Sequence, residues 1–208
     1  MSLDDGIPAN DELLHLHAAA QSLVGEALRG LGPADLARAT PCSEWDLRAL
    51  LEHMYGQNLG LMAAAGGDGA DLEQWRPRAL GLDPAAAIAN SAGSLVVALA
   101  EAGLSGAMWM PEILPTAPLP ARTAVLAHLL DSVVHGWDVA MALGKPFHAE
   151  PGVLAVAAAV ADRVPSGDGR LRPGAAFGPP VQAPSGGQLA DMLALLGRNQ
   201  GFRPSDVA

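Results

Sequence analysis

The sequence is poor in the basic residues that bind polyanions. Its 12 Lys and Arg stand against 22 Asp and Glu, which gives a formal net charge of −10, and Lys145 is the only lysine. Binding to nucleic acid generally requires a Lys/Arg patch that neutralises phosphates. We therefore expect no nucleic-acid partner.

Other features are also missing. A single cysteine, Cys42, excludes an intramolecular disulfide and leaves either a structural or a reactive role for the thiol. The first residues have no basic start followed by an apolar run, and no uninterrupted apolar stretch is long enough to span a membrane. GxGxxG, P-loop and GxSxG motifs are absent, so nucleotide binding and serine hydrolysis have no support. We expect a cytoplasmic protein that does not act at a membrane.

Half of the residues are apolar, and their helical spacing predicts a mainly all-α fold. We expect a single helical-bundle domain over 1–208, with an irregular C-terminal extension at 165–208 packed on the bundle. Ser43 and Asp46 form a capping-box pattern for the second helix. The helices are predicted at 11–30, from 43 to the glycines at 66 and 67, 84–101, a long one ending near 144, 153–164 and 189–196. A short β-hairpin is expected around 175–182, and a homodimer remains open.

The long fourth helix carries a polar stripe in an apolar setting. His128, Asp131, His135 and Asp138 follow one another at spacings of three, four and three, which places them on one helix face. Because a helix that is apolar nearly all round is usually buried, these groups need partners, and a divalent cation satisfies several at once. The alternative is a solvated polar stripe on an ordinary amphipathic helix.

A third metal ligand is available on the second helix. Helical bundles build metal sites from side chains that project inward from facing helices. His53 together with Asp131 and His135 would supply two imidazoles and one carboxylate, a set that leaves coordination positions open. Zinc, nickel, cobalt, manganese and ferrous iron are all compatible with this set.

Several other residues are candidates for the surroundings of that site. His128 would line the pocket or simply pack in a hydrogen-bonded position, and Asp138 would bond His135 or lie at the helix surface. Trp45 and Trp137 are predicted core residues that also wall the site. Arg198 would contact an anionic substrate or be an exposed cation at a helix end.

Two other histidines, His15 and His17, lie on the first helix. Because residues two apart on a helix point in different directions, we expect them at the surface or its boundary, without a shared metal.

Two spaced motifs carry a resemblance to a known family. TPCSEWDLRALLEHMYG (40–56) and DSVVHGWDVAMALGKPF (131–147), with FGPPVQAP and LADMLALLGR nearer the C-terminus, resemble the mycothiol-dependent maleylpyruvate isomerase N-terminal family of DinB-like metal-binding bundles. The resemblance implies an antiparallel four-helix core and a divalent ion, most often zinc. It also implies ligands that map onto His53, Asp131 and His135.

The resemblance also shows two differences. The isomerase has glutamate at the acidic ligand position, where this chain has the shorter Asp131. It also has a separate C-terminal domain that contributes to its active site, for which 208 residues leave no room. We therefore expect a reaction other than maleylpyruvate isomerisation.

Two functional hypotheses follow. In the first, the protein is a metal-dependent transferase or isomerase-like enzyme that activates a low-molecular-weight thiol such as mycothiol toward an electrophilic substrate. In the second, it is a noncatalytic module of the same fold that binds metal or a small ligand.

Overall fold

Helices make up most of the fold. The computed structural model describes residues 8–43, 45–172, 175–184 and 186–203. The helices are α1 (Asn10–Ala27), α2 (Leu47–Ala65), α3 (Pro84–Ala102), α4 (Ala121–Ala142), α5 (Pro151–Ala161) and α6 (Gln188–Leu195). Two-residue strands, β1 (Ala107–Met108) and β2 (Leu119–Pro120), form an antiparallel pair. The predicted all-α class is confirmed.

The start of α2 lies later than the sequence pattern predicted. Its N-cap is Asp46, whose Oδ1 accepts a hydrogen bond from the Ala49 N–H at 2.8 Å, so Ser43 is not the cap. Before it the chain makes a turn, in which the Trp45 N–H donates to the Cys42 carbonyl, and Asp46 pairs with Ala39 in an isolated β-bridge. This turn holds the preceding residues outside the helix.

The start of α3 agrees with prediction. Asp83 caps the helix by accepting from the Ala86 N–H at 3.0 Å, and Pro84 occupies the first turn, where its missing N–H costs nothing.

Helix α4 is the centre of the bundle. It packs most extensively against α1 and also contacts α2 and α5, while α3 packs against α1 and α2, and α6 packs on α5. Of its 22 residues, 17 are buried, as expected for a helix that is apolar nearly all round. The buried apolar residues of the protein form two clusters. Those of α4 up to Trp137 belong to the larger cluster, and those from Val139 onward belong to the smaller one. His135 and Asp138 therefore lie where the two clusters meet.

The predicted hairpin near the C-terminus is wrong, because residues 175–182 contain no strand. Their backbone is instead held by α6 and its surroundings. The Val181 N–H donates to the Ala194 carbonyl, and the buried Arg170 guanidinium donates to the carbonyls of Gly178 and Leu195. These contacts at Val181 and Gly178 hold the segment in an irregular conformation without a partner strand.

Among the described helices, α3 alone is long and apolar enough to cross a membrane, judged by length and composition only. About a quarter of its apolar window, 28%, is buried. A single helix of this kind is weak evidence for a membrane span, because core helices pass the same test. The expectation that the protein does not act at a membrane stays a prediction.

Candidate metal centre

Two helices bring together the three side chains that the sequence singled out. Asp131 and His135 lie one turn apart on α4, and His53 comes from α2, which packs against α4. The capped start of α2 fixes the register of that helix, so that His53 faces α4 in its second turn. The three offer one carboxylate and two imidazoles at a single place.

The distances fit one cation. Asp131 Oδ1 lies 3.3 Å from His135 Nε2 and 3.8 Å from His53 Nε2, and one donor atom of each residue lies within 4.8 Å of the others. Bonds of about 2.0–2.2 Å to a tetrahedral ion place neighbouring donors about 3.3 Å apart. A small inward movement of His53 therefore satisfies the geometry, and the nitrogen and oxygen donors suit zinc and related divalent ions.

The cluster is sealed on one side and open on the other. The His135 side chain is 4% exposed, whereas those of His53 and Asp131 are 18% and 26% exposed. A small molecule can therefore approach from the side of His53 and Asp131 without unfolding the bundle.

Proton binding in the metal-free cluster is strongly coupled. Burial raises the pKa of Asp131, but the neighbouring His135 and His53 imidazoles outweigh this and hold the pKa well below its usual value. Burial lowers the pKa of His135, but the charge of Asp131 and hydrogen bonds to Asp131 and Asp138 raise it to about 9. Without metal, a proton on His135 takes the place of the cation beside the ionised carboxylate.

Asp138 orients His135 from behind. Its Oδ2 lies 3.0 Å from His135 Nδ1, so the imidazole donates there and presents Nε2 to Asp131. Carboxylates in this position fix the tautomer and the ring orientation of metal-binding histidines. The structure thus selects the first of the two roles considered for Asp138, since its side chain is fully buried and not at the surface.

Arg198 occupies a place that neither interpretation of the sequence anticipated. Its Nε lies 3.0 Å from Asp138 Oδ1 and 3.1 Å from Oδ2, and an outer nitrogen donates to Oδ2 at 3.0 Å. The residue is 5% exposed, so the expected surface cation is wrong, and its guanidinium is committed to Asp138. Arg198, Asp138 and His135 form a continuous buried chain that ends at the candidate ligand set.

The two tryptophans have different surroundings. The ring of Trp45 lies 4.6 Å from that of His53 and 5.8 Å from that of His135, centroid to centroid, so it forms a wall of the cluster. Trp137 is 5% exposed within the larger apolar cluster. Cys42, in the turn before α2, is half-buried. Burial lowers the pKa of Arg198, but the Asp138 carboxylate outweighs this and raises the pKa above its usual value.

His17 corrects one prediction, because it is 1% exposed whereas His15 is at the surface. His17 Nε2 lies 3.1 Å from His128 Nδ1, and Gln21 and Ser132 complete a group that we call the polar network. His128 is thus a packed, hydrogen-bonded histidine. Burial lowers its pKa to about 4, the charge of Asp131 opposes this, and His53 lowers it further.

Gln21 and Ser132 were not foreseen from the sequence. Each lies four residues after a histidine on the same helix, Gln21 after His17 and Ser132 after His128. A polar residue four positions after a histidine, on each of two apolar helices, is the sequence signal that could have predicted this network.

The chain matches the family model described as the mycothiol maleylpyruvate isomerase N-terminal domain over residues 16–140. It belongs to this family of metal-binding helical domains, which is named after a mycothiol maleylpyruvate isomerase. Two uncharacterized proteins of Mycobacterium tuberculosis, from strains H37Rv and CDC 1551, are each 29% identical over 188 residues, which cover 89% of this chain and 97% of the relative. No solved structure gives a significant match. Arg198 lies beyond the matched range, so the family model does not account for it.

Proposed function

We propose that the protein holds one divalent metal ion, zinc in preference to nickel, cobalt, manganese or iron, through His53, Asp131 and His135. The observation that carries this proposal is the convergence of the three donor atoms within 4.8 Å at a solvent-open face, with Asp138 behind His135. Such an ion lowers the pKa of a coordinated thiol or water toward neutrality.

The protein would use this property to activate a low-molecular-weight thiol, mycothiol or a close analogue, toward an electrophilic partner. Support comes from the family membership and from the open side of the cluster. In a transfer reaction the thiol loses its proton to solvent, and a sulfur–carbon bond forms while a leaving group departs with its bonding pair. In an isomerisation the sulfur adds to a double bond, the new single bond rotates, and the sulfur leaves again.

The chain's own residues divide the work around the cluster. Asp138 and Arg198 hold His135 in one orientation, and Trp45 packs against His53. The exposed edges of His53 and Asp131 leave room for thiol and substrate. A reducing cytoplasm, where such a thiol stays reduced, is the compartment we propose.

Elemental analysis of protein purified without a metal-affinity resin tests the metal site. Wild-type protein should carry stoichiometric metal, and the His53→Ala and Asp131→Ala variants should lose it. His15→Ala and Asp68→Ala remove the same side chains at exposed positions outside the cluster and should change nothing. Metal retained by both site variants would contradict the proposal.

The thiol reaction needs a second test. Metal-loaded protein should consume a thiol and an electrophile together, and the rate should fall to background in Asp131→Ala. Thiol binding without turnover would instead support the noncatalytic binding module.

A further inference from the structure

One buried polar atom on α4, three residues before Asp131, has no hydrogen-bond partner among the described residues. His128 is 2% exposed, and its Nε2 makes no hydrogen bond, the only buried side-chain nitrogen or oxygen of the described residues in this position. A buried polar group without a partner is destabilising, and native proteins rarely keep one. A ligand that brings a hydrogen-bond partner to this atom would remove that cost.

The polar network determines which proton state that atom has. The Ser132 hydroxyl donates to the His128 carbonyl oxygen at 2.7 Å, so its only proton is used, and its oxygen accepts from the Gln21 amide nitrogen at 2.6 Å. The same amide nitrogen, which has two protons, lies 3.3 Å from His128 Nδ1. Nδ1 is thus placed to accept.

The contact with His17 is compatible with this arrangement, because His17 Nε2, 3.1 Å from His128 Nδ1, donates to it when His17 carries its proton on that nitrogen. Reversing the Gln21 amide would set its carbonyl oxygen against the Ser132 oxygen, whose proton already points elsewhere. A proton on His128 Nδ1 would face the N–H of Gln21. In this arrangement the single proton of the neutral His128 imidazole lies on Nε2, so the unpartnered atom is a donor.

On α4 the unpartnered donor lies N-terminal to Asp131 and His135, whereas Asp138, which binds Arg198, lies C-terminal to them. His128 precedes Asp131 by three residues on the same face of α4, and the Asp131 carboxylate raises the pKa of its imidazole while His53 lowers it. Its Nδ1 edge is occupied by α1, through His17 and Gln21. Along α4 the cluster thus lies between a closed pair, Asp138 with Arg198, and the unpartnered Nε2–H of His128, which can donate to a ligand.

We propose that the Nε2–H of His128 donates a hydrogen bond to the anionic sulfur of the thiol that binds at the candidate metal centre, and that Gln21 and His17 keep His128 in this donor state. The inference rests on the proposed function and names a ligand-binding residue for it. A fixed donor favours an anionic acceptor over a neutral one, because hydrogen bonds to charged groups are the stronger kind. His128 would therefore select the thiolate over the thiol.

The first test uses the unmodified protein without metal. Nitrogen-15 NMR of the histidine side chains should show His128 protonated on Nε2 and unprotonated on Nδ1 at neutral pH. A proton on Nδ1 would overturn the inference, and this measurement needs no variant that must fold.

The second test uses cobalt(II)-loaded protein and 2-mercaptoethanol as the thiol probe, followed by the sulfur-to-cobalt absorption band. His128→Phe, which keeps a ring but no donor, should bind cobalt normally and weaken the thiol affinity about tenfold or more. His128→Gln, which restores an N–H, should recover most of that loss. His15→Phe, the same change at an exposed position, should have no effect.

The outcomes separate the two proposals. Normal cobalt binding with a thiol affinity that is indifferent to His128→Phe would overturn this inference alone. A wild-type protein that binds no cobalt would contradict the metal centre itself.

Discussion

Replacing Arg198 by methionine should destabilise the protein strongly although no metal ligand is changed. The substitution removes three contacts of 3.0–3.1 Å to Asp138, whose side chain is completely buried. Removing one partner of a buried ion pair leaves an uncompensated charge and typically costs about 3–5 kcal/mol. Of the partners that the described part of the chain supplies, only the His135 imidazole would then remain hydrogen-bonded to Asp138.

Urea unfolding of metal-free protein measures this cost. In thermal unfolding of a chain of this size, the same loss of about 3–5 kcal/mol would lower the melting temperature by roughly 6–20 °C. Arg172→Met is the matched control, because it makes the same change at an exposed site in the same C-terminal segment. The double variant Arg198→Met, Asp138→Leu should regain much of the loss, since it removes both charges. An Arg198→Met protein within about 1 kcal/mol of wild type would refute the buried pair as described.

Three further predictions follow from the buried groups. Because the pKa of His17 and that of His128 are lowered, to about 4 for His128, the unfolded chain binds more protons below pH 6.5. Metal-free protein should therefore lose about 3 kcal/mol through His128 alone between pH 6.5 and about pH 4, measured by urea unfolding; a flat profile over this range would contradict the prediction. Because the pKa of His135 is raised to about 9 without metal, the apparent zinc affinity should rise about tenfold per pH unit from neutrality toward pH 9 in chelator competition, and a pH-independent affinity would count against it. Gly60→Ala would place a Cβ 2.4 Å from the ring of Trp75, so it should cost about 1–3 kcal/mol in thermal unfolding, and an unchanged melting temperature would show that the helix and ring separate freely.

Local signals in the sequence were sufficient where a structure depends on neighbours in the chain. Asp83 and Pro84 mark the start of α3, and the spacing of Asp131 and His135 places them one turn apart on a helix. The apolar surroundings of that pair predict the burial of α4. The choice of His53 needed more, because it depends on which helix packs against α4, and the helical-bundle expectation supplied it.

Signals were insufficient where a partner lies far along the chain. Arg198 is 60 residues from Asp138, and no helical spacing relates them. His17 has its polar partner 111 residues away, so its burial cannot be deduced from the pattern on α1. The predicted strands at 175–182 are wrong, because the backbone of Val181 bonds to α6 and that of Gly178 to Arg170 rather than to a second strand.

X-ray diffraction from zinc-loaded crystals, recorded on both sides of the zinc absorption edge, tests the central claim most directly. One anomalous peak should lie about 2.0–2.2 Å from an imidazole nitrogen of His53, an imidazole nitrogen of His135 and a carboxylate oxygen of Asp131. The peak should disappear in Asp131→Ala. A peak elsewhere on the protein, or none at these three side chains, would contradict the assignment of this cluster as the metal centre.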